Sequence, residues 1–226
     1  LPSRDNKSQM NEVIKESGYF ESYDGTPVYY ESRGEGDPIV LCYGIVCTSN
    51  HFRHQIQYFS KKYRVITFDY RGHHKTPAPQ DRSQLSIDGI CRDIQGLCNH
   101  LRLDKAHFVG HSWGVQVLVR AYDMFPDLFK SLVFINGFAS NPLTAVFGPN
   151  GNSVAFSLLK TVYAKLPATS DYVWKFLADN SLTGHISALA GGFNINLTSF
   201  KDIEIYGRGV ANIELDVVIA LFDQMM

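Results

Sequence analysis

The chain has 226 residues with 21 basic and 22 acidic side chains, which gives a formal net charge of −1 at pH 7. This balance leaves no basic excess for binding nucleic acid or an anionic membrane. Hydrophobic residues make up 45% and charged residues 19%, as is typical of a soluble globular protein. No apolar run reaches the roughly 18 residues of a membrane span.

The first residues are polar, and residues 1–12 are expected to form a leader because they lack the apolar segment of a signal peptide. Four cysteines follow, at positions 42, 47, 91 and 98, and none of them forms a CxxC pair. We interpret them as small buried side chains in a reducing compartment, the cytoplasm. Disulfides or a metal site are the alternatives.

The first third of the chain predicts a β-rich start. Residues 18–36 form two aromatic, β-prone runs around an Asp-Gly pair, which indicates a hairpin. Short apolar runs at 37–44 and 63–70 are typical of strands buried on both faces of a parallel sheet. Between them, residues 50–60 have helical spacing.

The next segments alternate between helix and strand. Residues 86–103 have an apolar stripe at helical spacing, 106–112 predict a strand, 113–125 a helix and 130–137 another strand. The order β-β-β-α-β-α-β-α-β predicts an α/β fold with a mostly parallel, doubly wound sheet. Asp93 and Arg92, in the first of these helices, are interpreted as structural or solvated.

The pattern changes near residue 140. A turn-rich stretch is followed by helical patterns, and no further buried-strand run is found before Met226. We therefore expect the N-terminal part of an α/β core at 13–140 and a helical cap at 141–226.

The segment GHSWG places Ser112 between two glycines where a strand is predicted to become a helix. This spacing matches the G-x-S-x-G nucleophile elbow, in which a sharp turn projects the serine hydroxyl above the sheet edge. The backbone N–H of Trp113 would then donate to a reacting carbonyl oxygen, near the positive end of the helix dipole. A chance match in a glycine-containing loop is the alternative, which the strand–turn–helix context disfavours.

A second oxyanion donor is expected at the end of the third strand. The backbone N–H of Ile45, just after Gly44, is the candidate. The alternative is an ordinary turn at a strand end.

These segments together resemble the α/β-hydrolase superfamily, specifically members with a helical cap. YDGTPVYYESRGEGDPIVL is similar to the opening hairpin and third strand, DYRGHHKTPAP to the D-x-R-G-x-G-x-S loop, and GHSWG to the elbow. The resemblance implies a serine hydrolase acting on a carboxylic ester, a lactone or a related small-molecule acyl substrate, with no cofactor or metal. Three positions depart from the family pattern: Tyr43 replaces a common His, His74 a Gly and Thr76 a Ser.

The expected substrate pocket follows from the same resemblance. Tyr43, Gly44, His111 and Phe138 are the candidates for its lining. The Trp113 side chain is a further candidate, with simple packing as an equal alternative. Arg71 is expected to brace the loop that follows Asp69.

The partners of Ser112 are the open question. In the family an acid and then a histidine follow the serine, yet Asn136 stands where an acid is customary after the sixth strand. His185 is the sole histidine after Ser112, and a surface or cap position suits it better than a catalytic one. Either the seventh and eighth strands, with the acid and histidine, belong to a longer polypeptide, or the chain is a truncated or non-catalytic relative. In both cases residues 1–226 alone are predicted to be nearly inactive.

A second function class stays open. Some members of the superfamily bind a ligand between cap and core without catalysis, so a binding or signalling protein is the alternative to an enzyme. The sequence does not decide the oligomeric state.

Overall fold

The computed structural model describes residues 14–138, 156–180, 182–184, 196 and 198–225. One six-stranded sheet is present in this part of the chain, and it has the order β1-β2-β4-β3-β5-β6. Its strands are Ile14–Glu21, Pro27–Arg33, Pro38–Cys42, Arg64–Phe68, Ala106–His111 and Phe129–Ile135, labelled β1 to β6 in chain order.

The hairpin β1–β2 is antiparallel and joins β4 antiparallel, whereas β3, β4, β5 and β6 pair in parallel. The predicted α/β fold with a mostly parallel sheet is therefore confirmed. A helix lies between consecutive parallel strands in the chain, because parallel strands are joined by crossover connections.

The described α-helices of seven or more residues are labelled α1 to α7: Arg53–Phe59, Ile87–His100, Trp113–Met124, residues 156–165, Pro167–Ala178, Phe200–Ala211 and Leu215–Met225. A 3₁₀ turn at Ser49–Phe52 precedes α1, so this helix begins later than its periodicity predicted. The side chain of Ser86 caps α2 by accepting a hydrogen bond from the Gly89 N–H at 3.0 Å.

The helix α2 buries the apolar stripe that its sequence predicted, including Ile90, Ile94 and Leu97. All four cysteines are free and buried, which confirms their interpretation as apolar packing residues. Burial raises the pKa of the Cys91 and Cys98 thiols to about 12, so both stay protonated at neutral pH.

A buried ion pair braces the segment after β4. The guanidinium of Arg71 is fully buried and donates to both oxygens of Asp93, at 2.8 and 2.6 Å. It also donates to Asp24 at 2.8 Å and to the Gln84 carbonyl at 3.0 Å. Burial lowers the pKa of Arg71, but the hydrogen bonds and charge of Asp93 outweigh this effect and raise that pKa. The predicted bracing role of Arg71 is confirmed.

The chain divides into two compact units. One comprises residues 1–45, 49–71 and 75–139, and the other comprises 46–48, 72–74 and 140–226. The first contains the sheet with α1 to α3. The second contains α4 to α7. None of the described helices in either unit is long and apolar enough to cross a membrane.

One departure from the family pattern, His74 in place of a Gly, has a conformational consequence in the structure. His74 has φ of 49°, so it adopts the left-handed conformation that glycine favours. Its ring Nε2 lies 2.9 Å from the carbonyl oxygen of Cys47, which offsets part of the conformational cost.

Candidate functional site

Ser112 occupies a sharp turn between β5 and α3. Its φ and ψ are 54° and −121°, a conformation that is strained for any residue with a Cβ. The turn is held on both sides: the Ser112 N–H donates to the Ile135 carbonyl at 3.1 Å, and the Ser112 carbonyl accepts from the Val115 N–H at 3.1 Å. The side chain is partly exposed.

Glycine is required at both positions that flank Ser112, because neighbouring backbone atoms lie too close for a Cβ. A Cβ on Gly110 would lie 2.8 Å from the Gly114 carbonyl oxygen, and a Cβ on Gly114 would overlap the carbonyl of Cys42. The first turn of α3 therefore packs directly against the end of β3. This is the physical reason for the G-x-S-x-G spacing at this position.

Strand register places Ile45 at the same sheet edge as Ser112. Cys42 of β3 pairs with Gly110 of β5 in a parallel ladder. Ile45 follows Cys42 by three positions, and Ser112 follows Gly110 by two. Within the described ranges the Ile45 N–H makes no hydrogen bond, and the next residue, Val46, has φ of 52°. The donor predicted at Ile45 is thus available at this edge.

Trp113 begins α3, so no helical carbonyl accepts its backbone N–H. Its ring is fully buried and packs edge-on against Tyr70, with ring centroids 5.7 Å apart. The indole Nε1 has no hydrogen-bond partner among the described residues. This burial favours packing over an acyl-pocket role for the Trp113 side chain.

The predicted pocket residues have different environments. Gly44 is buried two residues after β3, whereas Phe138 is partly exposed three residues after β6. His111, the last residue of β5, is half-buried and lies edge-on to Phe52 at 6.3 Å between ring centroids. Burial lowers the pKa of His111, and its Nδ1 has no hydrogen-bond partner in the described part of the chain. These three pocket assignments stay predictions.

Tyr43 differs from the other three because its side chain is 0% exposed. Its hydroxyl accepts a hydrogen bond from the Tyr70 N–H at 3.0 Å and lies 3.4 Å from Asp69 Oδ1. These contacts favour a bracing role beneath the sheet edge, and they give no support to the prediction that Tyr43 lines the pocket.

No described residue supplies a base for Ser112. Its hydroxyl makes no hydrogen bond within the described ranges. Three other histidines bind elsewhere: His74 contacts Cys47, and His100 and His107 contact the hydroxyls of Tyr30 and Ser131. The candidate base His185 lies outside the described residues.

Asn136, which stands where the family pattern places an acid, follows β6 with φ of 45°, and its side chain is exposed.

Among the described residues no group of His, Cys, Asp and Glu is arranged to hold a metal ion.

Two features were not found from the sequence. The first is the pair formed by Tyr43 and Tyr70, because side-chain contacts between strand ends leave no periodic signal. The second is a cavity of about 470 Å³ within the helical unit. Its lining is almost entirely apolar: Phe156, Leu159, Val162, Leu166, Thr169, Ser170, Val173, Trp174, Leu177, Leu215, Val218, Ile219 and Phe222.

Comparison with known families agrees with this geometry. The model of a family described as alpha/beta hydrolase fold matches residues 37–183. The chain belongs to the α/β-hydrolase family. The predicted resemblance is therefore confirmed.

Curated relatives that this chain resembles are named as hydrolases. An (E)-2-((N-methylformamido)methylene)succinate hydrolase of Acinetobacter baylyi is 36% identical over 110 residues, which is 48% of this chain and 41% of the relative. An epoxide hydrolase of Caballeronia sordidicola is 27% identical over 189 residues, covering 77% of this chain and 54% of the relative. The chain thus spans about half or less of the length of these two relatives.

A solved structure has the same fold. The epoxide hydrolase of Bacillus megaterium superposes with a TM-score of 0.68 at 20% identity, covering 91% of this chain and 71% of that structure.

Proposed function

We propose that the protein is a serine hydrolase that cleaves a carboxylic ester, a lactone or a related acyl substrate through an acyl-enzyme at Ser112. The observation that carries the proposal is the strained elbow at Ser112, with two backbone N–H groups at the same sheet edge. A strained residue of this kind is maintained where the conformation is used.

The proposed reaction follows from these groups. Ser112 Oγ bonds to the substrate carbonyl carbon while its proton passes to a general base, and the carbonyl oxygen becomes an oxyanion. The N–H groups of Ile45 and Trp113 stabilise this charge. Collapse breaks the bond to the leaving alcohol, which takes the proton, and water then hydrolyses the acyl-serine to acid and free Ser112. The base remains unassigned.

A serine nucleophile supports acyl substrates over epoxides. Several relatives are named epoxide hydrolases, but attack of a serine oxygen on an epoxide would form an ether. An ether has no carbonyl for water to attack, so the alkylated enzyme would not turn over. An acyl-serine is an ester and can be hydrolysed, which favours acyl substrates.

A fluorophosphonate probe tests the proposal on the longest natural form of the protein. The probe should label the wild type, and Ser112→Ala should abolish labelling. Ser131→Ala is the matched control, because Ser131 contacts a histidine, His107, at 2.7 Å but lies within β6 rather than at an elbow. Labelling that survives in Ser112→Ala would refute the nucleophile assignment.

A second candidate function is ligand binding without catalysis, which the lack of a described hydrogen bond at the Ser112 hydroxyl favours. A wild type that resists the probe but binds acyl compounds would support this alternative.

The 226-residue chain is expected to show negligible turnover of a short-chain aryl ester when it is compared with the longest natural form, because triad members act as a unit. Equal, Ser112-dependent activity of both forms would show that a base lies within residues 1–226, and His185 would be the first residue to mutate.

A further inference from the structure

Two buried tyrosines form a reciprocal pair between the ends of β3 and β4. The Tyr70 N–H donates to the Tyr43 hydroxyl at 3.0 Å, and the Tyr70 hydroxyl donates to the Tyr43 carbonyl oxygen at 2.9 Å. The rings lie 4.5 Å apart between centroids, and both side chains are 0% exposed. Each tyrosine thus holds the backbone of the other.

The bonded carbonyl lies next to the candidate oxyanion donors. The Tyr43 carbonyl belongs to the peptide that enters Gly44, and the following peptide carries the Ile45 N–H. On its other side, the same carbonyl is packed against α3, since a Cβ on Gly114 would lie 2.8 Å from its oxygen. A shift of this carbonyl would therefore change where Ile45 points relative to the start of α3.

The second donor is linked to the same pair. The ring of Tyr70 packs edge-on against Trp113, whose backbone N–H is the other candidate donor. The Tyr43 hydroxyl in turn lies 3.4 Å from Asp69 Oδ1, and Asp69 Oδ2 accepts a hydrogen bond from the Lys75 N–H at 3.2 Å. The pair is thereby fixed to the loop after β4 as well as to the elbow.

From these contacts we infer that Tyr43 and Tyr70 are positioning residues that set the distance between the Ile45 and Trp113 N–H groups. Neither side chain reaches substrate, because both are fully buried. The inference rests on the proposed function at Ser112. Oxyanion donors act only when they lie at hydrogen-bonding distance from the developing charge, so their placement affects the transition state more than substrate binding.

The test compares three Tyr→Phe variants in the longest natural form. Tyr70→Phe removes the bond to the Tyr43 carbonyl and keeps the ring. Tyr43→Phe leaves that bond in place and removes the hydroxyl contacts to Tyr70 and Asp69. Tyr30→Phe is the matched control, because Tyr30 is a buried tyrosine of β2 whose hydroxyl donates to Glu16 at 2.7 Å.

The measurements are kcat and KM on an aryl ester, the inhibition constant of an arylboronic acid that forms a tetrahedral adduct with serine, and the urea midpoint. Removal of a whole oxyanion donor costs about 100-fold or more in kcat, and a displaced donor should cost less. We expect Tyr70→Phe to lower kcat about tenfold with KM nearly unchanged and to weaken boronate binding by a similar factor. Tyr43→Phe should show a smaller loss of the same kind, and Tyr30→Phe should leave kcat unchanged.

The outcomes separate the two proposals. If the wild type has Ser112-dependent activity and Tyr70→Phe has an unchanged kcat, the positioning role is overturned and the proposed function stands. An equal loss of kcat in Tyr70→Phe and Tyr30→Phe would also overturn it, because the effect would then follow stability. If Tyr70→Phe does not fold, an unchanged kcat in Tyr43→Phe overturns the inference and a lowered kcat at constant KM supports it. A wild type without Ser112-dependent turnover would overturn both proposals.

Discussion

The backbone N–H of Ser112 donates to the carbonyl oxygen of Ile135 at 3.1 Å, so the end of β6 directly supports the candidate nucleophile. This bond continues the ladder between β5 and β6, in which His111 pairs with Ile135. The sheet can thus hold Ser112 at a φ that an isolated chain would avoid.

The first prediction concerns this strain. Ser112→Gly should be more stable than Ser112→Ala by about 1–2 kcal/mol, because glycine tolerates the positive φ that alanine does not. The free energy of unfolding from urea titration measures the difference. At Ser131, in the extended strand β6, the same pair of substitutions should have the opposite order, since glycine weakens a regular strand. Equal stability of the two Ser112 variants would mean that the elbow stores no strain.

The second prediction concerns the packing of α3 on β3. Gly114→Ala should lower the free energy of unfolding by about 1–3 kcal/mol, because the new Cβ would overlap the Cys42 carbonyl and force the helix away from the strand. The higher helix propensity of alanine offsets part of this loss. Gly18→Ala is the control, since among the described residues its Cβ would approach Tyr30 Cε1 alone, at an ordinary contact distance of 4.0 Å. A Gly114 variant as stable as the control would contradict the close approach.

The third prediction compares the stability lost when a buried ion pair is broken with the stability lost when a surface pair is broken. Asp93→Asn should cost about 3 kcal/mol or more, because it leaves the fully buried Arg71 with less compensating charge. Asp88→Asn removes the partner of Arg120 in a pair whose side chains are about half exposed, and its effect should be much smaller. Urea midpoints of both variants provide the comparison, and similar losses would show that burial does not set the strength of the Arg71 pair.

The fourth prediction concerns β6, which is an edge strand within the described part of the chain. Val133, Phe134 and Ile135 are 47%, 49% and 38% exposed, so consecutive apolar side chains lie on a strand that has no neighbour on one side among the described strands. Such an edge promotes association, and residues 1–226 expressed alone should aggregate. Phe134→Lys should slow the aggregation measured by light scattering.

The control for this prediction is Tyr58→Lys, which changes an aromatic residue on α1 that is 69% exposed. If both lysine variants slow aggregation equally, general surface charge rather than the strand edge is the cause.

The sequence by itself determined the order of strands and helices from the hairpin to β6, the apolar face of α2 and the position of the elbow. These features depend on residues near one another in the chain, through periodicity, turn composition and the glycines at 110 and 114. The same local patterns identified the α/β-hydrolase family, which the family match confirmed.

Only the tertiary structure decided what the side chains at the strand ends contact. Nothing in the sequence indicated that Tyr43, predicted to line a pocket, packs in the interior against Tyr70, 27 positions further along the chain; its place in the pocket lining stays a prediction. In the same way, the left-handed backbone of His74 is supported by a carbonyl 27 positions earlier, at Cys47. Parallel strands bring such distant residues together at one sheet edge through their register, and register depends on the packing of the whole sheet rather than on any local run of sequence.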